Sequence, residues 1–325
     1  MHGFSELTAE AVKNKAMELG ADLVGIGSVS RWKDVPESEN PLSIMPRAKS
    51  VICFGFRLHR GSLRGVEEGT YYSAYTLNSF RDVNNLFAPM VQRQLCSFLE
   101  DWGYEAVPIM YYAHQLAKGT GEPALREDGT PKPRPDIFFN FRTGGVLCGV
   151  GEIGHSRMLL TPQFGPAQRI YFIVTEAELE QDPIITGICD HCMECVRHCP
   201  ANALCTACND NLEIPGVGTV CRSSLDELKC RLAHISGGLS AFAPEDVKAC
   251  VRNITEGTET ETADGSPRPD TSILKEITAK VPYAANASRL FGSPSALCGD
   301  GCIRACLVHL EKTGKLTRKF SHNFR

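Results

Sequence analysis

The sequence predicts an α/β (α+β) fold in two domains, and three observations support this prediction. A chain of 325 residues is long enough for about two domains. Short apolar runs alternate with helix-like segments through the first half of the chain. Of the 15 cysteines, only Cys53, Cys96 and Cys148 lie in that half, and the others crowd into the second. We therefore predict an α/β domain over 1–180 and a cysteine-rich domain over 181–325.

The first elements are predicted from capping and periodicity. Thr8 is a candidate N-cap for a helix over 8–19, because apolar residues recur on one face, and Gly20 can end that helix. The apolar runs 21–26 and 50–56 are short and rich in β-branched residues, so they predict strands.

Helical spacing of apolar residues predicts a helix over 84–102. The runs 104–112 and 170–174 predict two more strands. Loops are predicted over 118–135, which is rich in glycine, proline and charge, and over 253–272, which is polar and rich in threonine and glutamate.

Composition excludes several classes of protein. A chain with 42% hydrophobic and 22% charged residues can bury a large core, which argues against a disordered, collagen-like or coiled-coil protein. No apolar run approaches the roughly 18 residues that a membrane span needs. The start, 1–6, has neither the basic nor the apolar region of a secretion signal, so we expect a cytoplasmic protein without membrane contact. A net charge of −4 does not predict a broad nucleic-acid-binding surface.

The densest cysteine run reads C-x2-C-x2-C-x3-C-P and comprises Cys189, Cys192, Cys195, Cys199 and Pro200. This spacing is typical of bacterial ferredoxins. Three thiolates at x2 spacing bind three corners of one [4Fe–4S] cube, and the fourth leaves on a helix toward a second cube, with proline at the first helical position. A structural zinc site fits less well, because zinc motifs usually pair C-x2-C units across a longer gap.

A second cube needs more ligands, and Cys298, Cys302 and Cys306 supply three, with Cys230 as a lone fourth candidate. In a crossed arrangement, Cys306 completes the first cube. Cys199 then joins Cys230, Cys298 and Cys302 around the second.

Two alternatives remain open among the other cysteines. Cys221 can replace Cys230 as the lone ligand, and Cys205 with Cys208 can form a third metal site. Otherwise these residues are reduced thiols, as expected in a cytosolic protein.

Gly149, Gly151 and Gly154 fit the pattern G-x-G-x-x-G. A dinucleotide fingerprint should close a strand and open a helix. Here Pro162 and Gly165 would cut a following helix short, so NAD(P) binding is disfavoured.

The order of these segments resembles the epoxyqueuosine reductase and reductive dehalogenase superfamily. There, as here, a glycine turn, a segment like 157–166, a strand and a segment like 175–179 precede the ferredoxin run. The resemblance covers roughly 20–310. This chain departs from the pattern in the x3 spacing after Cys298, in Leu307 instead of a proline after Cys306, and in lacking C-terminal helical repeats and a twin-Arg leader, which identifies a short form.

The resemblance implies a nitroreductase-like cofactor domain, followed by a bacterial ferredoxin-like domain whose two [4Fe–4S] clusters pass electrons to a bound cobalamin. A turn without Cβ atoms would allow close approach to the flat macrocycle. The implied cofactor-binding residues are Gly149, Gly151, Gly154, His155, Arg157 and Met158.

The resemblance also implies a proton donor. The epoxide-reducing members use an aspartate before the glycine turn, which corresponds to Asp136. The dehalogenases use a tyrosine whose pKa a nearby cation lowers. We select Tyr75 and Arg142 for these roles, with His155 and Arg157 as other candidate cations. The sequence does not choose among the available tyrosines, which are Tyr71, Tyr72, Tyr75, Tyr111 and Tyr112.

We therefore predict an iron–sulfur oxidoreductase, a corrinoid-dependent reductase of a small organic substrate or a modified nucleoside, with reduced ferredoxin or flavodoxin as electron donor. One alternative is an electron carrier or reductive activator of a corrinoid protein, without a substrate of its own. A second alternative is a tRNA epoxyqueuosine reductase. We do not expect tRNA as a partner, because the helical repeats are missing.

Overall fold

The structure is a computed structural model, and it comprises helices on both faces of a central sheet. The residues it describes are 6–68, 70–71, 73–111, 123–134, 137–207, 210–227, 229–230, 245–246, 248–249 and 301–322. The helices are α1 (Ala9–Glu18), α2 (Pro41–Ile44), α3 (Arg60–Glu67), α4 (Ala88–Asp101), α5 (Phe141–Leu147), α6 (Glu194–Arg197) and α7 (Cys302–Lys312). The strands are β1 (Leu23–Ser28), β2 (Ser50–Arg57), β3 (Ala106–Ile109), β4 (Glu152–Ile153), β5 (Leu159–Leu160), β6 (Gln168–Thr175), β7 (Asp210–Ile214) and β8 (Gly218–Arg222).

The central sheet has the strand order β1-β2-β6-β3, and all of its neighbouring strands are antiparallel. Ile52 at the centre of β2 lies opposite Ile26 on one side and Ile173 on the other. Helices cover the sheet, so the predicted mixture of helices and strands is confirmed, in the α+β form.

Both faces of the sheet are buried, which explains why its strands read as continuous apolar runs. Ile52 and Phe54 face a hydrophobic cluster that includes residues of α1 and α4. Val51 and Cys53 face the opposite cluster, where Leu147 of α5 packs.

The N-terminal helix follows its sequence signals. The Thr8 hydroxyl accepts a hydrogen bond from the Ala11 N–H at 3.1 Å, which confirms the predicted N-cap. Gly20, just beyond α1, has a φ of +103°, a conformation that favours glycine. Strand β1 begins at Leu23 rather than at residue 21. The residue before it, Asp22, accepts a hydrogen bond through its carboxylate from the Arg57 N–H at the C-terminal end of β2.

The predicted helix over 84–102 differs from the structure at its start. A π-helix spans Ala74–Phe87 and continues directly into α4. The wide turns end close to Pro89, which lacks the N–H that a regular helical hydrogen bond requires. The strand predicted over 104–112 shrinks to β3, an edge strand that tolerates Pro108.

Helix α7 packs against the N-terminal part of the chain. Its residues Leu307 and Leu310 share a hydrophobic cluster with Leu58, Tyr75 and Leu160. The two predicted domains therefore share part of a core, and the boundary between them stays a prediction. Among the helices of the described residues, none is long and apolar enough to span a bilayer.

Between the cysteine run and Cys230 the chain forms the hairpin β7–β8, which the sequence analysis did not anticipate. Its residue Ile214 is buried against the same face of the sheet as α5. The loop predicted over 118–135 has neither helix nor strand in its described part, 123–134, whereas 253–272 lies outside the described residues.

Candidate metal centres

The cysteine run forms a tight turn followed by the short helix α6. His191 and Met193 adopt φ values of 53° and 64°, which is uncommon for residues with side chains. These conformations allow the backbone to turn tightly, so one small cavity is lined by Cys189, Cys192 and Cys195. The Cys306 side chain of α7 completes the lining of that cavity, although it lies more than a hundred residues away in sequence.

The two described cysteines of α7 are four residues apart, so they lie on one face of the helix. Cys306 is close to the first three cysteines of the run, whereas Cys302 is close to Cys199 and Cys230. The structure thus brings seven of the eight predicted ligands into two groups, in the crossed arrangement predicted from spacing. Cys298 lies outside the described residues.

Five of these thiols have a pKa above the ordinary range of a cysteine, namely Cys192, Cys195, Cys230, Cys302 and Cys306. Burial, together with the neighbouring thiols of Cys230, Cys199 and Cys195, raises the pKa of Cys302 to about 12. Burial together with nearby thiols raises the pKa of Cys195 to about 11. Crowded thiolates need positive charge to form, and a metal cluster supplies it. Because Cys199 faces the second group, the run itself does not form a four-cysteine zinc site, and the donor sets fit two iron–sulfur clusters.

Cys221 is corrected by the structure. It is disulfide-bonded, so it is neither a reduced thiol nor the lone cluster ligand. The Cys205 sulfur lies 3.1 Å from the Ser224 hydroxyl oxygen, and Cys208 lies outside the described residues.

The glycine turn follows α5 and contains β4, so it does not join a strand to a helix and is not a dinucleotide fingerprint. A Cβ at Gly149 would collide with the Pro183 carbonyl oxygen, and one at Gly151 with the carbonyl oxygen of Leu160. The close approach that Gly149 and Gly151 allow in this structure is to the protein's own backbone, and a contact between the turn and a flat cofactor stays a prediction.

The other implied corrinoid contacts are largely engaged with protein groups. The His155 side chain is 1% exposed and its Nε2 lies 2.9 Å from the Cys205 carbonyl oxygen. Arg157 forms an ion pair with Asp210 of the hairpin. Met158 is half-buried, and its sulfur lies 3.9 Å from an Arg142 nitrogen. That these three residues contact a corrinoid stays a prediction.

Of the three catalytic candidates, Asp136 lies outside the described residues. Tyr75 is 1% exposed and packs in the apolar cluster under α7, so its selection as proton donor conflicts with its place in the core. Arg142 is exposed at the first turn of α5, and Tyr111 is close enough to it to interact electrostatically. Tyr111 is half-buried, and its ring lies 6.0 Å from that of Phe141.

Arg142 lies where several charged groups converge. Partial desolvation by the surrounding protein lowers its pKa despite its exposed surface, and the cations of Arg157 and Arg222 lower it further. The thiols of Cys302 and Cys230 are also within electrostatic range of its guanidinium. Arg142 thus lies within electrostatic range of both the second cysteine group and Tyr111.

A cavity of about 950 Å³ opens beside the edge strand β3 and α2. Its wall includes apolar residues such as Val107 and Ile109, and Lys33 and Lys132 contribute positive charge. A cavity of this size can hold a large organic ligand.

Sequence reasoning missed the residues that surround the first cysteine group. Asp190 accepts a hydrogen bond from His309 Nε2 at 2.8 Å and pairs with Lys315 at 3.3 Å. Burial alone would raise the pKa of Asp190, but these two partners lower it to about 2. Ligand atoms of Asp190, Cys192 and His309 lie within 4.8 Å of one another, yet Cys192 belongs to the first group, so this set surrounds that group rather than forming a separate site.

Comparisons with known proteins find that the chain is similar to reductive dehalogenases. No model of a known protein family matches the chain. A tetrachloroethene reductive dehalogenase of Sulfurospirillum multivorans is 24% identical over 233 residues, which cover 59% of this chain. A tetrachloroethene reductive dehalogenase of Desulfitobacterium hafniense is 40% identical over 63 residues, covering 18% of this chain and 11% of its own length. The solved structure of the catabolic reductive dehalogenase NpRdhA aligns over 87% of this chain with a TM-score of 0.50 and 17% identity.

The chain has the reductive dehalogenase fold. The predicted resemblance to the superfamily is therefore confirmed. The chain spans 40% of the length of the Sulfurospirillum dehalogenase and 35% of NpRdhA, so it corresponds to part of those proteins.

Proposed function

We propose that the chain is an iron–sulfur oxidoreductase that carries electrons through two [4Fe–4S] clusters to the corrinoid-dependent reduction of a small organic substrate. The observation that supports this proposal is the convergence of cysteines from three separate stretches into two crossed groups. Cys189, Cys192, Cys195 and Cys306 hold the first cluster. Cys199, Cys230, Cys298 and Cys302 hold the second.

When bound, a corrinoid supplies a strongly reducing cobalt centre. The chain's own residues supply the proton and the electrostatics. Tyr111 is the proton donor, and the guanidinium of Arg142 stabilises the tyrosinate that remains. The cavity beside β3 receives the organic ligand. Reduced ferredoxin or flavodoxin is the electron donor.

One observation favours a second candidate function. The glycine turn, His155, Arg157 and Met158, which the resemblance implies as corrinoid contacts, all contact protein groups in this structure. A chain without a corrinoid would be an electron carrier or a reductive activator of a separate corrinoid protein.

Metal content after anaerobic purification and reconstitution with cobalamin tests both candidates. We expect about eight iron and eight sulfide per chain, with about one cobalt for the reductase. About eight iron without cobalt supports the electron carrier, and a chain without iron refutes both.

Cys306→Ser examines the ligand assignment. It should lower the iron content or change the spectrum of one cluster, because it removes a ligand of the first group. Cys96→Ser is the matched control, since Cys96 lies in α4 within the hydrophobic cluster on one face of the central sheet and belongs to neither group. Equal iron content and equal spectra in the two variants would contradict the assignment.

A further inference from the structure

The glycine turn over 149–154 contacts the chain where the first cysteine group begins. Glu152 in β4 extends its carboxylate to two backbone N–H groups. One oxygen accepts the Gly187 N–H at 2.7 Å, and the other accepts the N–H of Cys189. A single side chain therefore fixes the backbone that carries the first cysteine ligand.

A second contact from the same turn reaches the sulfur itself. The His155 N–H donates a hydrogen bond to the Cys189 sulfur at 3.4 Å. His155 is held in place by its own ring, which lies 2.9 Å from the Cys205 carbonyl oxygen and 5.7 Å from the centre of the His191 ring. The direction of its N–H is thus set by contacts on both sides.

The turn is closed by backbone hydrogen bonds. The Gly154 N–H donates to the Met158 carbonyl at 2.9 Å, and the Arg157 N–H donates back to the Gly154 carbonyl at 2.9 Å. A Cβ at Gly154 would lie 2.7 Å from a Leu160 methyl carbon and 3.5 Å from the Cys189 sulfur. The absence of a side chain here lets the turn pack directly against β5 and the ligand.

We propose that the turn over 149–154 is a support for the first [4Fe–4S] cluster, with Glu152 as a positioning residue for Cys189 and the His155 N–H as a hydrogen-bond donor to the ligand sulfur. This inference rests on the proposed function, because it requires a cluster at Cys189. Groups that surround the ligands of a metal site fix their geometry, and both hydrogen bonds to cluster sulfurs and nearby charges set the reduction potential.

Glu152→Gln tests the electrostatic part of this role. The substitution removes a negative charge near the first cluster and leaves one acceptor oxygen for two N–H donors. Reduction adds negative charge to a cluster, so loss of the carboxylate should raise the midpoint potential of the first cluster and leave the second unchanged. A redox titration monitored by electron paramagnetic resonance measures both potentials. Glu180→Gln is the matched control, since Glu180 is an exposed carboxylate before the cysteine run.

Glu152→Ala tests the positioning part, because it removes both hydrogen bonds to the backbone. We expect a chelator to remove about four of about eight iron atoms faster than from the wild type, with circular dichroism unchanged. Should both Glu152 variants keep wild-type potentials and wild-type iron release, the proposal is overturned. A wild-type protein without iron would instead refute the proposed function, so the two failures are distinguishable.

Discussion

A buried ion pair attaches helix α7, with its ligands Cys302 and Cys306, to the N-terminal part of the chain. Arg60 at the start of α3 binds Glu311 with two hydrogen bonds, at 2.9 and 3.0 Å. The two side chains are 13% and 9% exposed. Arg60 also donates to the His322 carbonyl at 2.7 Å. The Arg60–Glu311 pair is therefore a strong candidate for holding α7 in place.

The expected magnitude follows from this geometry. Hydrogen bonds to charged groups contribute about 1.5–3 kcal/mol, and breaking a buried pair by removing one partner costs about 3–5 kcal/mol. Glu311→Gln keeps the size of the side chain and one acceptor oxygen. We therefore expect the free energy of unfolding to fall by about 2 kcal/mol, which lies in the lower of these two ranges. For a chain of this size that loss lowers the unfolding midpoint by about 3 °C. Arg60→Gln should cost more, because it also removes the bond to His322.

A double-mutant cycle isolates the interaction between the two side chains. The wild type, Arg60→Gln, Glu311→Gln and the double variant would be unfolded in urea under anaerobic conditions, followed by circular dichroism and visible absorbance. We expect a coupling energy of about 2 kcal/mol. Glu18→Gln, in an exposed pair with Lys15, is the control and should change stability by less than about 0.5 kcal/mol. A coupling energy no larger than that of a surface pair would refute the reasoning.

Three further predictions concern other parts of the molecule. Gly25→Ala should lower the free energy of unfolding by about 2 kcal/mol, because the new Cβ would collide with the Cys148 carbonyl oxygen. Gly61→Ala is the control and should cause no such loss in thermal unfolding, because a Cβ there meets open space. The pKa of Asp190 is about 2, below its ordinary value of 3.8, so its ionised carboxylate stabilises the folded state at pH values above 3.8. The difference in unfolding free energy between wild type and Asp190→Asn should therefore shrink as the pH falls from 3.8 to about 2. A difference that stays constant over this pH range contradicts the prediction. Arg142→Gln should lower the midpoint potential of the second cluster in a redox titration, because it removes a cation near Cys230 and Cys302. Arg134→Gln, at an exposed arginine, is the control, and an equal change in potential in the two variants contradicts the prediction.

Local spacing made the cysteine groups predictable. The x2 spacing of the run fixes which sulfurs can meet around one cube, and the x3 spacing after Cys302 places Cys306 one helical turn away. The sheet was predictable for a similar reason, since β2 and β6 are buried on both faces and therefore read as apolar runs.

The glycine turn could not be assigned from its pattern. A glycine shows that something approaches the backbone closely, but the sequence does not show what approaches. At Gly151 the neighbour is the carbonyl of Leu160, and at Gly149 it is Pro183, from the segment that leads to the cysteine run. A resemblance to corrinoid proteins suggested a cofactor instead. Glu152 lies between Gly151 and Gly154, and no sequence pattern indicated a role for its carboxylate.

If the two groups hold clusters as proposed, their crossed arrangement makes assembly depend on the whole fold. The first group combines three cysteines of the run with Cys306 of α7, and the second combines Cys199 of the run with Cys302 of α7, so neither cluster would form until α7 packs against the N-terminal part of the chain. That packing rests on the shared apolar cluster and on two buried ion pairs, Arg60–Glu311 and Glu67–Arg304. Charge neutralisation in either pair should therefore speed iron release from both clusters, even though none of the four side chains binds iron. A substitution in the glycine turn should affect the first cluster alone.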